Sequence, residues 1–254
     1  MVTIFEYNSK KYSADLNYPL DISIPLIEGE QVVNCFYAPL YETSPVIAGD
    51  FVGSTAMGGP LNFLNVRLNP HGNGTHTECV GHIAKEHFTI NQSLKRFHFA
   101  ARLISMYPTK MDNGDRVIQK EQLEMLIPEG EWLEALVLRT FPNSSDKQTR
   151  SYSGNNPPYL EAAAVAFLVE RGVQHLLLDL PSVDREEDGG ALAAHKAFWR
   201  YPERVQERST CTITELVYVA PNIPDGLYLL NIGIASFEID VSPSKPVLYA
   251  VKSL

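Results

Sequence analysis

The sequence has no excess of basic residues, little cysteine and no long apolar run, and each shortage removes a class of protein. Its 254 residues carry 21 Lys+Arg against 30 Asp+Glu, a formal net charge of −9. So acidic a chain is poorly suited to nucleic acid or an anionic membrane surface, because both select clustered Lys and Arg. The three cysteines, Cys35, Cys79 and Cys211, are an odd set without C-x-x-C spacing. That argues against a disulfide framework and a thiolate zinc finger. The most apolar stretch, Ala162 to Val169, is eight residues long, too short to cross a bilayer. The first residues, Met1-Val-Thr-Ile-Phe-Glu, lack the basic start and apolar run of a signal peptide, so a cytoplasmic protein is expected.

Several nucleotide and nucleophile motifs are also missing. Gly53-Ser-Thr-Ala-Met-Gly-Gly59 is glycine-rich, but it lacks the Lys-Ser/Thr of a P-loop and the G-x-G-x-x-G of a dinucleotide turn. No G-x-S-x-G elbow is present, which disfavours a serine hydrolase mechanism. The remaining composition, 44% hydrophobic and 20% charged, is that of a folded globular protein. Without a repeat, a low-complexity tract or a composition break, one α/β domain over residues 1–254 with a mixed sheet is expected.

The elements can be placed from periodicity and turn chemistry. Val2 to Tyr7 and Lys11 to Leu16 read as a hairpin about Asn8-Ser9-Lys10. Asp21 to Leu26 and Asn62 to Leu68 alternate as strands, and the Pro-, Gly- and Ser-rich run from Pro39 to Pro60 reads as a long loop. Phe99 to Met106, Ala135 to Thr140, Val173 to Leu180, Ile213 to Val219, Leu227 to Ser236 and Pro246 to Val251 are further strands. Helices are expected at Lys120 to Leu126, Pro158 to Arg171 with Gly172 beyond it, and Gly190 to Trp199.

Histidine is unevenly distributed. Of seven, His71, His76, His82 and His87 fall within 17 residues, just after the Asn62 to Leu68 strand. Gly72 and Gly74 permit a sharp turn there, and Glu78 follows His76 by two positions. Imidazole and carboxylate groups converging from such a turn suit Zn²⁺ or Mn²⁺. The alternative from spacing alone is a polar loop whose histidines cap backbone groups.

The segment Asn73-Gly-Thr-His-Thr-Glu-Cys-Val-Gly-His82 resembles the H-x-G-T-H-x-D-x-P-x-H motif of the cyclase family, which includes bacterial kynurenine formamidases and isatin hydrolases. Other segments agree in order: Leu20-Asp-Ile-Ser-Ile-Pro-Leu26, Ala135-Leu-Val-Leu-Arg-Thr140, Glu161 to Gly172, Leu178-Asp-Leu-Pro-Ser-Val-Asp184, Ala194-His-Lys-Ala-Phe198 and Ser242-Pro-Ser-Lys-Pro-Val-Leu-Tyr249. The resemblance implies a swivelling β/β/α fold, a homo-oligomer, and metal-dependent hydrolysis of an amide such as N-formylkynurenine. It places His76, Glu78, His195 and a later glutamate around a metal, Zn²⁺ first and Mn²⁺ second, with His82 as acid/base. For that glutamate the apolar context favours Glu215 over Glu207, whose neighbourhood is charged.

Two departures stand out. The family's first histidine falls here on Gly72, leaving adjacent His71 as the candidate substitute, and Glu78 stands where the family has Asp. A one-residue offset redirects a side chain, so the number of metals stays open. The chemistry implied is general: a bound metal acidifies water and polarises a carbonyl, while a histidine relays the proton to the leaving nitrogen. Tyr37, Tyr41 and Phe51 are the candidates for stacking on an aromatic substrate. Cys79, His87, His98 and His175 read as structural or exposed, and Asp184 to Asp188 as a solvated acidic loop. Two other readings remain: hydrolysis of a cyclic amide or lactone at the same centre, or a metal-free binding protein that lost its first ligand at Gly72.

Overall fold

Strand order and pairing follow from where the apolar runs lie. In the computed structural model, which describes residues 1–254, nine strands form the continuous path of a ten-stranded main sheet, the tenth being the short Leu20–Asp21: β1 (Val2–Tyr7), β2 (Lys10–Asp15), β3 (His76–Glu78), β4 (His98–Met106), β5 (Ala135–Thr140), β6 (His175–Leu178), β7 (Thr212–Glu215), β8 (Gly226–Ile234) and β9 (Val241–Ser253). Their order is β1-β2-β9-β8-β4-β5-β6-β7-β3, and β3 also pairs with β9. That last pairing closes seven strands into a barrel, while the hairpin β1–β2 continues the far half of β9 outside it. Strands β4 to β7 run parallel, and the remaining pairs are antiparallel.

The parallel strands are buried on both faces, as their continuous apolar sequences require. Along β5, Ala135 and Val137 point into the barrel with Leu103, Leu177 and Leu230, and Leu136 and Leu138 point outward. Helices α2 (Lys120–Leu126), α3 (Ala162–Glu170) and α4 (Ala193–Trp199) cover that outer face with Leu123, Val165, Leu168, Phe198 and Trp199; the short helix α1 (Pro70–Asn73) precedes β3. Each fully buried Leu or Phe contributes roughly 1.5–3 kcal/mol, so the two layers supply most of the favourable term. No helix is long and apolar enough to cross a membrane.

Most expected elements are present with trimmed ends. The hairpin turns at Asn8 and Ser9, whose φ values of 48° and 59° give the primed geometry that matches strand twist. Helix α2 has the expected bounds, and α3 ends at Gly172, whose φ of +90° is the usual left-handed stop. Three expectations are corrected. Helix α3 starts at Ala162 rather than Pro158, because Tyr159–Leu160 pairs as a short strand with Arg116–Ile118. Of the Asp21 to Leu26 segment only Asp21 pairs as a strand, together with Leu20 before it; Ile22 and Ile24 are buried, but Thr75 Oγ1 rather than a neighbouring strand accepts the Ile24 N–H. The run from Pro39 to Pro60 contains Glu42–Pro45 and the hairpin Ile47–Ala48/Phe51–Val52. The Asn62 to Leu68 strand is present over Leu64–Arg67, and it pairs with Glu42–Pro45 in an exposed arm.

Candidate active site

Strand β3 is the base of the site because it is hydrogen-bonded on both edges. His76 lies opposite Glu215 of β7 and Pro243 of β9, and Glu78 opposite Ile213 and Val241. The two-residue period of a strand turns His76 and Glu78 to the outer face, where α4 delivers His195. Thr77 points the other way, its Oγ1 2.8 Å from that of Thr214.

Four imidazoles and four carboxylates meet here. His195 Nε2 is 3.1 Å from Glu78 Oε1 and 4.0 Å from Glu215 Oε1, and His76 Nε2 is 3.3 Å from Glu215 Oε2. His71 Nδ1 lies 3.2 Å from Glu78 Oε2, and His82 Nδ1 lies 3.8 Å from the same oxygen. His76, Glu78, His195 and Glu215 are buried, whereas the His71 and His82 side chains are 23% and 30% exposed. The sequence-derived set His71, His76, Glu78, His82, His195 and Glu215 is therefore brought together in space. Glu207 lies elsewhere, exposed and paired with Arg200 at 3.0 Å.

Gly72 explains the shift to His71. A Cβ at Gly72 would come within 2.2 Å of Ala38 Cβ and 3.0 Å of the Cys35 carbonyl, so no side chain fits there. Asn69 caps the turn by accepting the Gly72 N–H at 3.1 Å, and the helical turn Pro70–Asn73 swings the preceding side chain toward Glu78.

Hydrogen bonds fix which imidazole nitrogen faces the centre. The Gly74 carbonyl, 2.9 Å from His76 Nδ1, can only accept, so Nδ1 carries the proton and Nε2 of the neutral ring is a bare lone pair. On His195, Nδ1 lies 2.6 Å from Asp184 Oδ2, which turns Nε2 inward in the same way. Buried His76 Nε2 and Glu78 Oε2 make no hydrogen bond. Lone pairs facing one another across 3–4 Å in a buried cluster are costly unless a proton or cation lies between them. Donor set and geometry therefore fit a divalent cation, and His71, His76 and Glu78 form one compact ligand group, Glu78, His82 and His195 another.

Protonation follows the same balance. Burial pulls the His195 and His71 rings down, but neighbouring carboxylates prevail and each is pushed up to about 10. For His195 these are Asp184, Glu78 and Glu215; for His71 they are Asp240 and Glu78. Burial raises the Glu78 carboxyl, yet His82, His195 and His71 together hold it well below the usual range.

Two participants escape the sequence reading. Asp184 is not solvated: it is 7% exposed, accepts the Ala194 and His195 N–H groups, and so caps α4 while orienting His195. At the other end of the run Asp188 builds the turn into that helix by accepting from Gly190 and Leu192. Asp240, just before β9, sits 2.9 Å from His71 Nε2 and 3.4 Å from His82 Nδ1. For Asp184 the adjoining Ser-Val-Asp resemblance was a usable signal; nothing local marks Asp240. The aromatic candidates sit in the loop region between the hairpin β1–β2 and α1. The Tyr37 N–H donates to Ser153 Oγ and its ring hydroxyl abuts Gly154, Phe51 packs edge-on against Phe63 at 6.3 Å, and Tyr41 precedes the arm strand Glu42–Pro45. Cys79 is buried, and His175 is a buried structural residue bonded to Thr212.

The chain is an α/β protein with a closed mixed sheet and a histidine–carboxylate cluster beside α4 whose donors suit a divalent cation. The Cyclase family model matches residues 14–185, and the chain belongs to that family. A kynurenine formamidase of Bacillus cereus is 30% identical over 192 residues, 75% of this chain and 81% of that protein. One of Bacillus thuringiensis (strain Al Hakam) is 28% identical over the same lengths. Among solved structures, isatin hydrolase A from Labrenzia aggregata superposes with a TM-score of 0.65 at 14% identity, covering 92% of this chain and 93% of that one. A Bacillus stearothermophilus protein named as a predicted metal-dependent hydrolase gives 0.63 at 16% identity, over 91% and 98%. At these identities the superpositions show the fold.

Proposed function

We propose that the chain is a divalent-cation-dependent amide hydrolase of the kynurenine formamidase kind. The observation that carries this is the buried, unbonded pair His76 Nε2 and Glu78 Oε2, facing His195 and Glu215 in a member of the Cyclase family. His76, Glu78, His195, Glu215 and His71 are the proposed ligands. Zn²⁺ suits this imidazole and carboxylate set first and Mn²⁺ second. When bound, the cation supplies Lewis acidity toward the scissile carbonyl and toward water.

The chain's own residues supply the remainder. His82 is the most exposed imidazole of the cluster, and its Nδ1 faces Asp240, so Nε2 is free to exchange protons. We assign it the transfer of a proton from attacking water to the departing amine nitrogen. Asp184 holds His195 in the tautomer with Nε2 inward, and the Val183 N–H fixes Glu215 by donating to Oε1 at 2.9 Å. Tyr37, Tyr41 and Phe51 are the proposed aromatic wall for the substrate.

A homo-oligomer and a cytoplasmic location belong to the same reading. The former is supported by the arm, which exposes Ile47, Phe63, Leu64 and Val66 by about half or more. The decisive experiment measures metal content and turnover of N-formylkynurenine before and after chelation, with a cyclic amide and a lactone assayed alongside. Stoichiometric metal with activity lost on chelation and restored by Zn²⁺ or Mn²⁺ is the expected result. Full activity in metal-free protein overturns the mechanism.

A further inference from the structure

We infer that Asp240 is the positioning residue that makes His71 a ligand, turning the ring so that Nδ1, and not Nε2, faces the cation site. This rests on the proposed metal centre and concerns a residue outside every motif that resembles the family.

At Gly72, Ala38 and the Cys35 carbonyl leave no room for a side chain. The imidazole must come from position 71, and on a helical turn one residue is a rotation of ~100°. A ring entering from that direction presents a different edge. His71 Nδ1 lies 3.2 Å from Glu78 Oε2, while Nε2 lies 2.9 Å from Asp240 Oδ2. A carboxylate accepts but does not donate, so Nε2–H donates to Asp240; a cation that replaces the proton between Nδ1 and Glu78 would then meet the ring's lone pair at Nδ1.

The two buried rings are held from the opposite nitrogen. His76 and His195 anchor Nδ1, on the Gly74 carbonyl and Asp184 respectively, and present Nε2. Each inward nitrogen thus has an acceptor on the far side of its ring, the arrangement that fixes ligand orientation in metal sites. Asp240 completes the set for the displaced histidine. It can do so because the Cys79 N–H donates to the Asp240 carbonyl at 2.9 Å and β9 begins directly afterwards against β3.

The test is Zn²⁺ affinity by chelator competition in the full chain, with circular dichroism as the check on folding. Asp240→Ala is expected to weaken binding 10–100-fold, and Asp240→Asn, which keeps an acceptor, to weaken it less. In a His71→Ala background the same Asp240→Ala change is expected to alter affinity by less than about twofold, because distant or merely structural effects would add. Wild-type affinity in both Asp240 variants, or an undiminished loss in the His71→Ala background, overturns the assignment. Should Asp240→Ala fail to fold, Asp240→Asn alone and in the His71→Ala background carries the same comparison. A wild-type chain that takes up no Zn²⁺ or Mn²⁺ overturns the metal centre itself, a result distinguishable from the other two.

Discussion

His195 and His175 are the same residue at nearly the same burial, 2% and 3% exposed, at opposite ends of the parallel strands. At the carboxyl ends, His195 meets Asp184, Glu78 and Glu215, and its ring is pushed up to about 10. At the amino ends, His175 opens β6 between Thr212 and the Phe99 ring, 3.8 Å away between centroids. Burial, with Arg96 and Arg208 nearby, pulls it down to about 3. Burial of a histidine therefore says little about its role. Its neighbours decide it: carboxylates and an unanswered lone pair at one end, a hydroxyl and arginines at the other.

A third buried cluster sharpens the contrast, because it lies at the same end as the site yet is fully answered. Lys147 Nζ contacts Asp179 Oδ2 at 2.7 Å and the Thr140 carbonyl at 2.7 Å, and both Asp179 oxygens accept from Thr140. No atom there lacks a partner, so nothing in it asks for a ligand.

The largest effect should come from filling or emptying the unanswered centre. His76→Ala removes one bare nitrogen and is expected to lower amide turnover by roughly 10⁴-fold or more, with Zn²⁺ loading falling in parallel, since the chemistry depends on the cation. Turnover within tenfold of wild type would remove His76 from the centre. Next in size is the answered cluster. Lys147→Met strands a buried carboxylate and should destabilise the fold by about 3–5 kcal/mol, measured by urea unfolding. Zn²⁺ affinity should change by less than about tenfold. If affinity collapses while stability holds, Lys147 belongs to the site and the distinction between the clusters fails.

The sequence made the first cluster visible because its geometry is mostly local. His71, His76, Glu78 and His82 lie within one short segment, and a strand's period alone puts His76 and Glu78 on one face. The Lys120 to Leu126 helix is equally local, as its turn residues and apolar spacing lie within its own length. Asp240 is invisible for the opposite reason. Its place depends on residues 241–243 pairing with 76–78, a contact set by barrel closure and not by any neighbouring residue. Asp184 misleads because acidic runs are usually solvated, whereas here the first member caps a buried helix start. The segment from Asp21 to Leu26 alternates as a strand would, and buries accordingly, but most of it lacks a neighbouring strand to pair with.

The smallest expected effect tests the amino-end histidine. An unfolded chain takes up a proton at His175 near pH 6.5, and the folded chain resists it until about pH 3. The shift is downward, so the unfolded state binds more protons throughout that window, and stability contributed by neutral His175 is present above pH 6.5 and lost as pH falls toward 3. Between pH 7 and pH 5 this amounts to about 2 kcal/mol, since each unit of difference is worth 1.36 kcal/mol. Every carboxylate contributes equally to the wild type and to His175→Gln, so subtracting their urea-unfolding curves at the two pH values isolates the histidine. His175→Gln should lose about 2 kcal/mol less than wild type over that interval. An equal loss would mean that His175 is protonated in the fold, and that its arginine-rich surroundings do not oppose the carboxylate-rich end in the way the geometry requires.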